Sequence, residues 1–138
     1  MVYTLKKLRS MTRFELDRVW KGISIHRTPV GRLQGAILSH PSIIGTVFNG
    51  VLESFWNGKM FHPGKKCKNI VAGQEFLQAR TYEGKSLFDD EPCLVVDYSR
   101  HPIGKPFRNE IRMIGNGVFL CRAYVFNRFL WHEALVRG

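Results

Sequence analysis

The strongest constraint on how this chain folds is a change of hydrophobic period near Trp56. From there to the end, apolar side chains recur at every second position in short runs separated by turn residues. An alternating run puts successive side chains on opposite faces of a strand, so one face can be buried and the other left outside. Gly58-Lys59-Met60-Phe61 and Asn69-Ile70-Val71-Ala72 read as strands on either side of a Pro63-Gly64 turn. Phe76 to Tyr82 alternates and ends at Glu83-Gly84-Lys85, and Cys93-Leu94-Val95-Val96-Asp97-Tyr98 is a strong strand. Phe107 to Met113 alternates, Asn116-Gly117 has hairpin chemistry, and Val118 to Val125 and Phe129 to Val136 complete the series. Many short strands joined by turn signals predict an antiparallel barrel or sandwich. Closure into a barrel removes the sheet edges and leaves an interior that is packed or holds one ligand.

The segment before Trp56 has a helical period. Thr12 and Glu15 have capping-box spacing, Met11 and Leu16 take the staple positions, and Gly22 is a natural stop, which predicts a helix over 13–21. Pro29 and Gly31 break the chain, and Gly35-Ala36-Ile37-Leu38 reads as a short strand. Ile43, Ile44, Val47, Phe48, Val51, Leu52 and Phe55 recur at helical spacing, although Gly45 and Gly50 work against that helix. The expected architecture is therefore mainly β: an antiparallel barrel with one or two N-terminal helical segments that cover a mouth or the outer wall. Its length of 138 residues suits one domain, with an N-terminal helical segment over 1–28 and the barrel over about 30–137.

Charge is the second feature. The chain has 21 Lys and Arg against 11 Asp and Glu, a formal +10, and residues 1–80 hold 13 of the basic and 4 of the acidic residues. An excess of this size favours anionic partners. It opens one reading of the chain as a basic adaptor that binds nucleic acid or an acidic partner through residues 6–13 and 65–68. Against nucleic acid, the aromatics do not interleave with the basic clusters as a stacking platform requires, and no zinc-finger spacing is present.

The three cysteines, Cys67, Cys93 and Cys121, are too few and too odd in number for a secreted disulfide framework. Cys93 and Cys121 sit in apolar runs, as buried thiols do. The first residues lack the apolar core of a secretory signal, and no apolar run approaches the roughly 18 residues of a spanning helix. These features lead to an expectation of a reducing, cytoplasmic location with no transmembrane segment. His62, Cys67, His101 and His132 match no recognised metal-site spacing, and no glycine-rich phosphate loop or serine nucleophile elbow is present, so neither metal nor cofactor is expected.

Three stretches are candidates for chemistry. In Arg108-Asn109-Glu110-Ile111-Arg112 the three charged residues share one strand face, and Phe107, Ile111 and Met113 share the other. The charges form either a solvent-facing ladder or a set of lumenal groups. In the lumen, Arg108 and Arg112 would clamp a polar group, and Glu110 would hold them or act as a base. Asp97-Tyr98-Ser99-Arg100-His101 follows an apolar strand, with Tyr98 as a donor to a ligand oxygen and Asp97 orienting His101 or pairing with an arginine. Trp56, Lys59 and Phe61 either plug the core or line a cavity for a flat apolar ligand, and Tyr124 joins the ligand-lining set.

Taken together, Trp56-x-Gly58-Lys59-x-Phe61, Ala79-Arg80-x-Tyr82, Leu94-Val95-Val96-Asp97-Tyr98-Ser99, Arg108-x-Glu110-Ile111-Arg112 and Gly117-x-x-Leu120 resemble a group of small bacterial proteins with lipocalin-like, or calycin-like, barrels. The resemblance runs over about residues 30–135. In that group the charged stretch reads Arg-Asp-Glu-Ile-Arg, where this chain has Asn109, and Phe119 stands where the group has a tyrosine. The resemblance implies a lipocalin-like barrel with a pocket and gives weight to Arg108, Glu110 and Arg112.

Two functions follow as expectations beside the adaptor. The first is binding of a small, largely apolar or amphipathic metabolite in the barrel, with Arg108, Arg112 and Tyr98 orienting its polar end. The second is cofactor-free isomerase, cyclase or lyase chemistry on such a metabolite. There Glu110 or Asp97 would be the general base, Tyr98 or His101 the acid, and Arg108 or Arg112 the oxyanion partner.

Overall fold

The computed structural model describes residues 2–23, 27–38 and 56–137. Eight strands close into one antiparallel barrel in chain order: β1 (Gly31–Leu38), β2 (Trp56–His62), β3 (Lys66–Val71), β4 (Gln74–Lys85), β5 (Pro92–Asp97), β6 (Phe107–Gly115), β7 (Val118–Val125) and β8 (Arg128–Arg137). β8 pairs with β1, from Leu33 opposite Arg137 to Leu38 opposite His132, so no strand edge is left open. The expected strands all form. β1 starts at Gly31, earlier than the expected 35–38, and the helix expected over 43–55 lies outside the described residues.

Two short helices precede the barrel, α1 (Leu5–Ser10) and α2 (Arg13–Lys21). The Thr12 capping box is formed from both sides: Glu15 N–H donates to Thr12 Oγ1, and Thr12 N–H donates to Glu15 Oε1. α1 falls within the N-terminal helical segment expected over 1–28, although the sequence signals there predict a helix only over 13–21. A single helical turn or two carries too little periodicity to stand out.

Alternation sorts the apolar residues into two cores. The inner one fills one end of the barrel with Leu33, Phe61, Cys67, Leu94, Val96, Ile111, Phe119, Cys121 and Leu135. The outer one lies between the barrel wall and the helices, where Leu8, Leu16 and Trp20 pack on Cys93, Val95, Ile114, Leu120 and Ala134. Strands β5 to β8 are therefore buried on both faces, which explains why Cys93–Val96 reads as a continuous apolar run rather than an alternating one.

One glycine is required by the wall itself. Gly58 has φ +137°, and a Cβ there would stand 2.0 Å from the Leu33 carbonyl oxygen. The β2–β3 register shifts between Trp56 and Gly58, so the two residues Trp56 and Lys59 both reach the interior across this bulge.

Candidate functional site

The other end of the barrel is not filled by the described residues. A cavity of about 590 Å³ opens where the β3–β4, β5–β6 and β7–β8 connections lie. Its wall is mostly apolar and aromatic, including Trp56, Phe76, Phe107, Val125, Leu130 and Trp131. Phe76 and Phe107 keep about half of their surface exposed at the mouth. Leu77 joins the wall because β4 bulges opposite Lys68 and Asn69, with Leu77 at φ 65°.

A polar cluster is set in this wall. Lys59 Nζ donates to Asn69 Oδ1 at 2.8 Å and to Tyr98 Oη at 2.7 Å. Tyr98 Oη also accepts from Asn69 Nδ2 at 3.0 Å and donates to Asn109 Oδ1 at 3.3 Å. Trp56 Nε1 donates to Asn69 Oδ1 at 3.1 Å. The side chains come from β2 (Trp56 and Lys59), β3 (Asn69), the end of β5 (Tyr98) and β6 (Asn109), and Lys59 and Asn69 are direct cross-strand partners. Such closure is what a buried ammonium requires, since an unpaired charge in this setting is costly.

Glu133 faces the same cavity from β8. Trp131 Nε1 donates to its Oε2 at 2.9 Å, while Oε1 has no hydrogen-bond partner among the described residues. Burial alone would lower the Lys59 pKa, but Tyr98 and then the Glu133 carboxylate act against it and the balance lies upward. Lys59 is thus charged at neutral pH. Burial, partly offset by Lys59, pushes the Tyr98 phenol up to about 12 and the Cys67 thiol up to about 11, so both are protonated there. Among the described residues, the cavity combines one cation, one anion and several neutral hydrogen-bonding groups in a greasy enclosure. It can hold an apolar body by burial and read its polar end by hydrogen bonds.

Of the residues singled out from sequence, Trp56, Lys59 and Tyr98 line this cavity, and Phe61 belongs to the packed end below it. The lumenal expectation for Arg108, Glu110 and Arg112 is corrected. They occupy the opposite face of β6 from the cavity-lining Phe107 and Asn109. Glu110 and Arg112 do not face solvent either, and Arg108 only in part, because α2 and the β4–β5 connection cover the outer wall there. Glu110 is fully buried and accepts from Ser86 Oγ (2.7 Å), Leu87 N–H (2.7 Å) and Arg108 Nη2 (2.9 Å). Arg112 donates to both Asp89 oxygens at 2.7 and 2.9 Å, to the Trp20 carbonyl at 3.0 Å and to the Pro92 carbonyl at 3.0 Å. Its guanidinium also stacks 4.4 Å from the Trp20 ring centroid.

Tyr124 lies on this outer side as well, accepting from Arg122 Nε at 3.0 Å. Arg122 in turn bonds Asp17 of α2, and Asp17 Oδ1 is 2.9 Å from His132 Nε2. Asp97 pairs with Arg80 at 3.1 Å rather than with His101, on the outside of the barrel. His101 Nδ1 accepts from the Ile103 and Gly104 N–H groups and closes the turn after β5. The candidate general bases Glu110 and Asp97 are therefore on the opposite side of the wall from the cavity.

The cavity's own Asn69, Asn109, Trp131 and Glu133 were not among the expected site residues. A signal for three of them exists: Asn109 has the parity of Phe107 and Ile111, and Glu133 has the parity of Trp131 and Leu135, so each is a polar residue on an otherwise apolar strand face. Asn69 alternates with Cys67 and Val71 in the same way.

Fold and site together define a closed eight-stranded antiparallel barrel with two helices packed on its outer wall and a cavity open at one end. Family models and curated proteins give no match to this sequence. Among solved structures the chain is similar to a protein from Thermomonospora curvata, with a TM-score of 0.66 and 14% sequence identity over 93% of this chain and 88% of that one. At that identity the likeness shows the shared fold.

Proposed function

We propose that this protein binds a small, largely apolar molecule inside a lipocalin-like barrel. The observation that carries this reading is the cavity of about 590 Å³, lined by aromatic and aliphatic side chains with a small polar cluster in its wall. Ligand sites have this make-up, and a volume of several hundred cubic ångströms is the usual size for a metabolite-scale guest. The ligand would enter past Phe76 and Phe107 and meet Lys59, Asn69, Tyr98, Asn109 and Glu133 with its polar end. Three buried free cysteines are in keeping with a reducing, intracellular setting.

Catalysis by Glu110 or Asp97 receives no support from their positions outside the lumen. Any chemistry in the cavity would fall to Glu133, Lys59 and Tyr98. Native mass spectrometry of the protein purified from its own host tests the reading. A retained molecule that is lost in an Ala123→Phe variant, which fills the cavity from β7, is the expected result. Retention unchanged in that variant would place the ligand elsewhere and overturn the reading.

The adaptor reading has one observation in its favour. A groove on the outer surface is lined by Lys65, Lys66, Arg80, Arg100 and His101, so the fold adds Arg80 and Arg100 to the basic turn over 65–68. Asp97 lies in the same groove and offsets part of this charge. Binding of an anionic polymer that falls steeply with salt and is abolished by Lys65→Glu with Arg100→Glu would favour it.

A further inference from the structure

We infer that the cavity selects a ligand whose polar end is a neutral group able both to give and to take a hydrogen bond, such as an alcohol or phenol hydroxyl, over a carboxylate or an ammonium. The inference rests on the cavity-binding reading and names the chemistry of its ligand.

Two unspent hydrogen-bonding positions carry it. Glu133 Oε1 is buried, faces the cavity and has no partner among the described residues, whereas Oε2 of the same carboxylate is satisfied by Trp131 Nε1. A buried acceptor left unpaired is costly, more so when charged, so a guest that donates to it is strongly favoured. On β2, Lys59 Nζ spends two of its protons on Asn69 Oδ1 and Tyr98 Oη, and its third has no hydrogen bond among the described residues. The site therefore asks for one donor, at Glu133 Oε1, and offers protons in return, from Lys59 Nζ and from the second amide protons of Asn69 and Asn109.

The charges set the rest. Lys59 and Glu133 act on one another, so among the described residues the wall carries one charge of each sign. A carboxylate guest would pair with Lys59 but press a second anion against Glu133, and it brings no proton for Oε1. An ammonium guest would satisfy Oε1 but meet Lys59. In an enclosure of low polarity such like-charge contacts are weakly screened. A hydroxyl has one proton to give and lone pairs to accept with, so it can serve the acceptor and the donors of this wall and adds no charge. Tyr98 uses its proton on Asn109 and accepts twice, Asn69 Oδ1 accepts twice, and Asn109 Nδ2 donates to the Arg108 carbonyl, so the neutral groups add donors but no further charge.

Calorimetric titration of the full chain at pH 7 with 2-naphthol, 2-naphthoate and 2-naphthylmethylammonium tests this, since the three share an apolar body and differ at the polar end. Naphthol is expected to bind at least tenfold more tightly than either ion. Glu133→Gln, which removes the anion but keeps the shape, is expected to raise naphthoate affinity relative to naphthol by a similar factor. Naphthoate or the ammonium binding as tightly as naphthol to the unaltered chain would overturn the inference and leave the cavity reading standing. Binding of none of the three would overturn both. If Glu133→Gln fails to fold, the order of affinities in the unaltered chain decides by itself.

Discussion

Lys59 Nζ and Tyr98 Oη stand 2.7 Å apart inside the barrel, with both side chains almost wholly removed from solvent. The phenol accepts from the ammonium and from Asn69, and its one proton goes to Asn109, so it joins three strands into one network. Tyr98→Phe removes that junction without changing the size of the ring. We expect a loss of about 1–3 kcal/mol in urea unfolding, the cost of leaving buried partners unsatisfied. A loss within error of zero would show that the network adds nothing to stability.

Lys59 and Glu133 are the opposite charges of the cavity, and removing one leaves the other uncompensated. Lys59→Met alone is expected to cost about 3–5 kcal/mol, as does breaking one side of a buried pair elsewhere. Combining it with Glu133→Gln should cost less than the sum of the two single changes. Additive costs in the double-mutant cycle would mean that the two charges are independent.

Gly35 lies under the Trp56 indole. A Cβ at position 35 would stand 2.3 Å from Trp56 Cη2 and 2.9 Å from Gly58 Cα, too close for any side chain. Gly35→Ala must therefore displace the indole from its seat in the cavity wall. The expected outcome is a shift in tryptophan emission together with weakened ligand binding. An unchanged spectrum with unchanged affinity would argue against this placement of Trp56.

His132 gives the fold a pH dependence. Burial lowers its pKa to about 4 and Arg122 adds to that, while Asp17 acts the other way. Asp17 is shared with Arg122, so its carboxylate does not overcome the burial. The unfolded chain, with an ordinary histidine, takes up a proton below pH about 6.5 that the folded chain takes up only near 4. The stabilisation is complete above 6.5 and is lost as pH falls through this window, by on the order of 3 kcal/mol. Asp89 and Asp97, whose pKa values are lowered, lose their contributions only below the ordinary carboxylate range, so the two effects separate. His132→Asn should flatten the unfolding free energy between pH 6.5 and 4.5, apart from the cost of the substitution itself. A slope that persists in this variant would assign it to another group.

Arg112 ties α2 to the barrel through the Trp20 carbonyl and its stacked indole, and ties the β4–β5 connection through Asp89. Lysine lacks the planar fork that serves these partners together. Arg112→Lys should release amide exchange over 13–21 while the strands stay protected, and should leave the affinity of the cavity ligand within about twofold, a change of less than about half a kcal/mol. A large loss of ligand affinity with the helix still protected would return Arg112 to the binding site.

The strands, their turns and the helix over 13–21 were legible because each rests on a local rule. Alternation at Phe107–Met113, hairpin chemistry at Asn116-Gly117 and the Thr12–Glu15 box do not depend on distant residues. The same local rule put Arg108, Glu110 and Arg112 on one face, which the structure keeps. Alternation says that two faces differ, but not which of them is the lumen. For β6 an apolar face and a charged face suggested a dry side and a wet or functional side, and the helices made both sides dry.

What the amino-acid order determined by itself was the period, and with it eight strands able to close and one capped helix, because hydrophobic spacing and turn chemistry act between near neighbours. Only the tertiary structure decided that Trp20 and Asp17 would cover the charged face of β6 and β7, and that Lys59, Asn69, Tyr98, Asn109 and Glu133 would meet inside. These residues are far apart in the chain, and their meeting depends on strand register, two bulges and barrel closure, which no local pattern encodes.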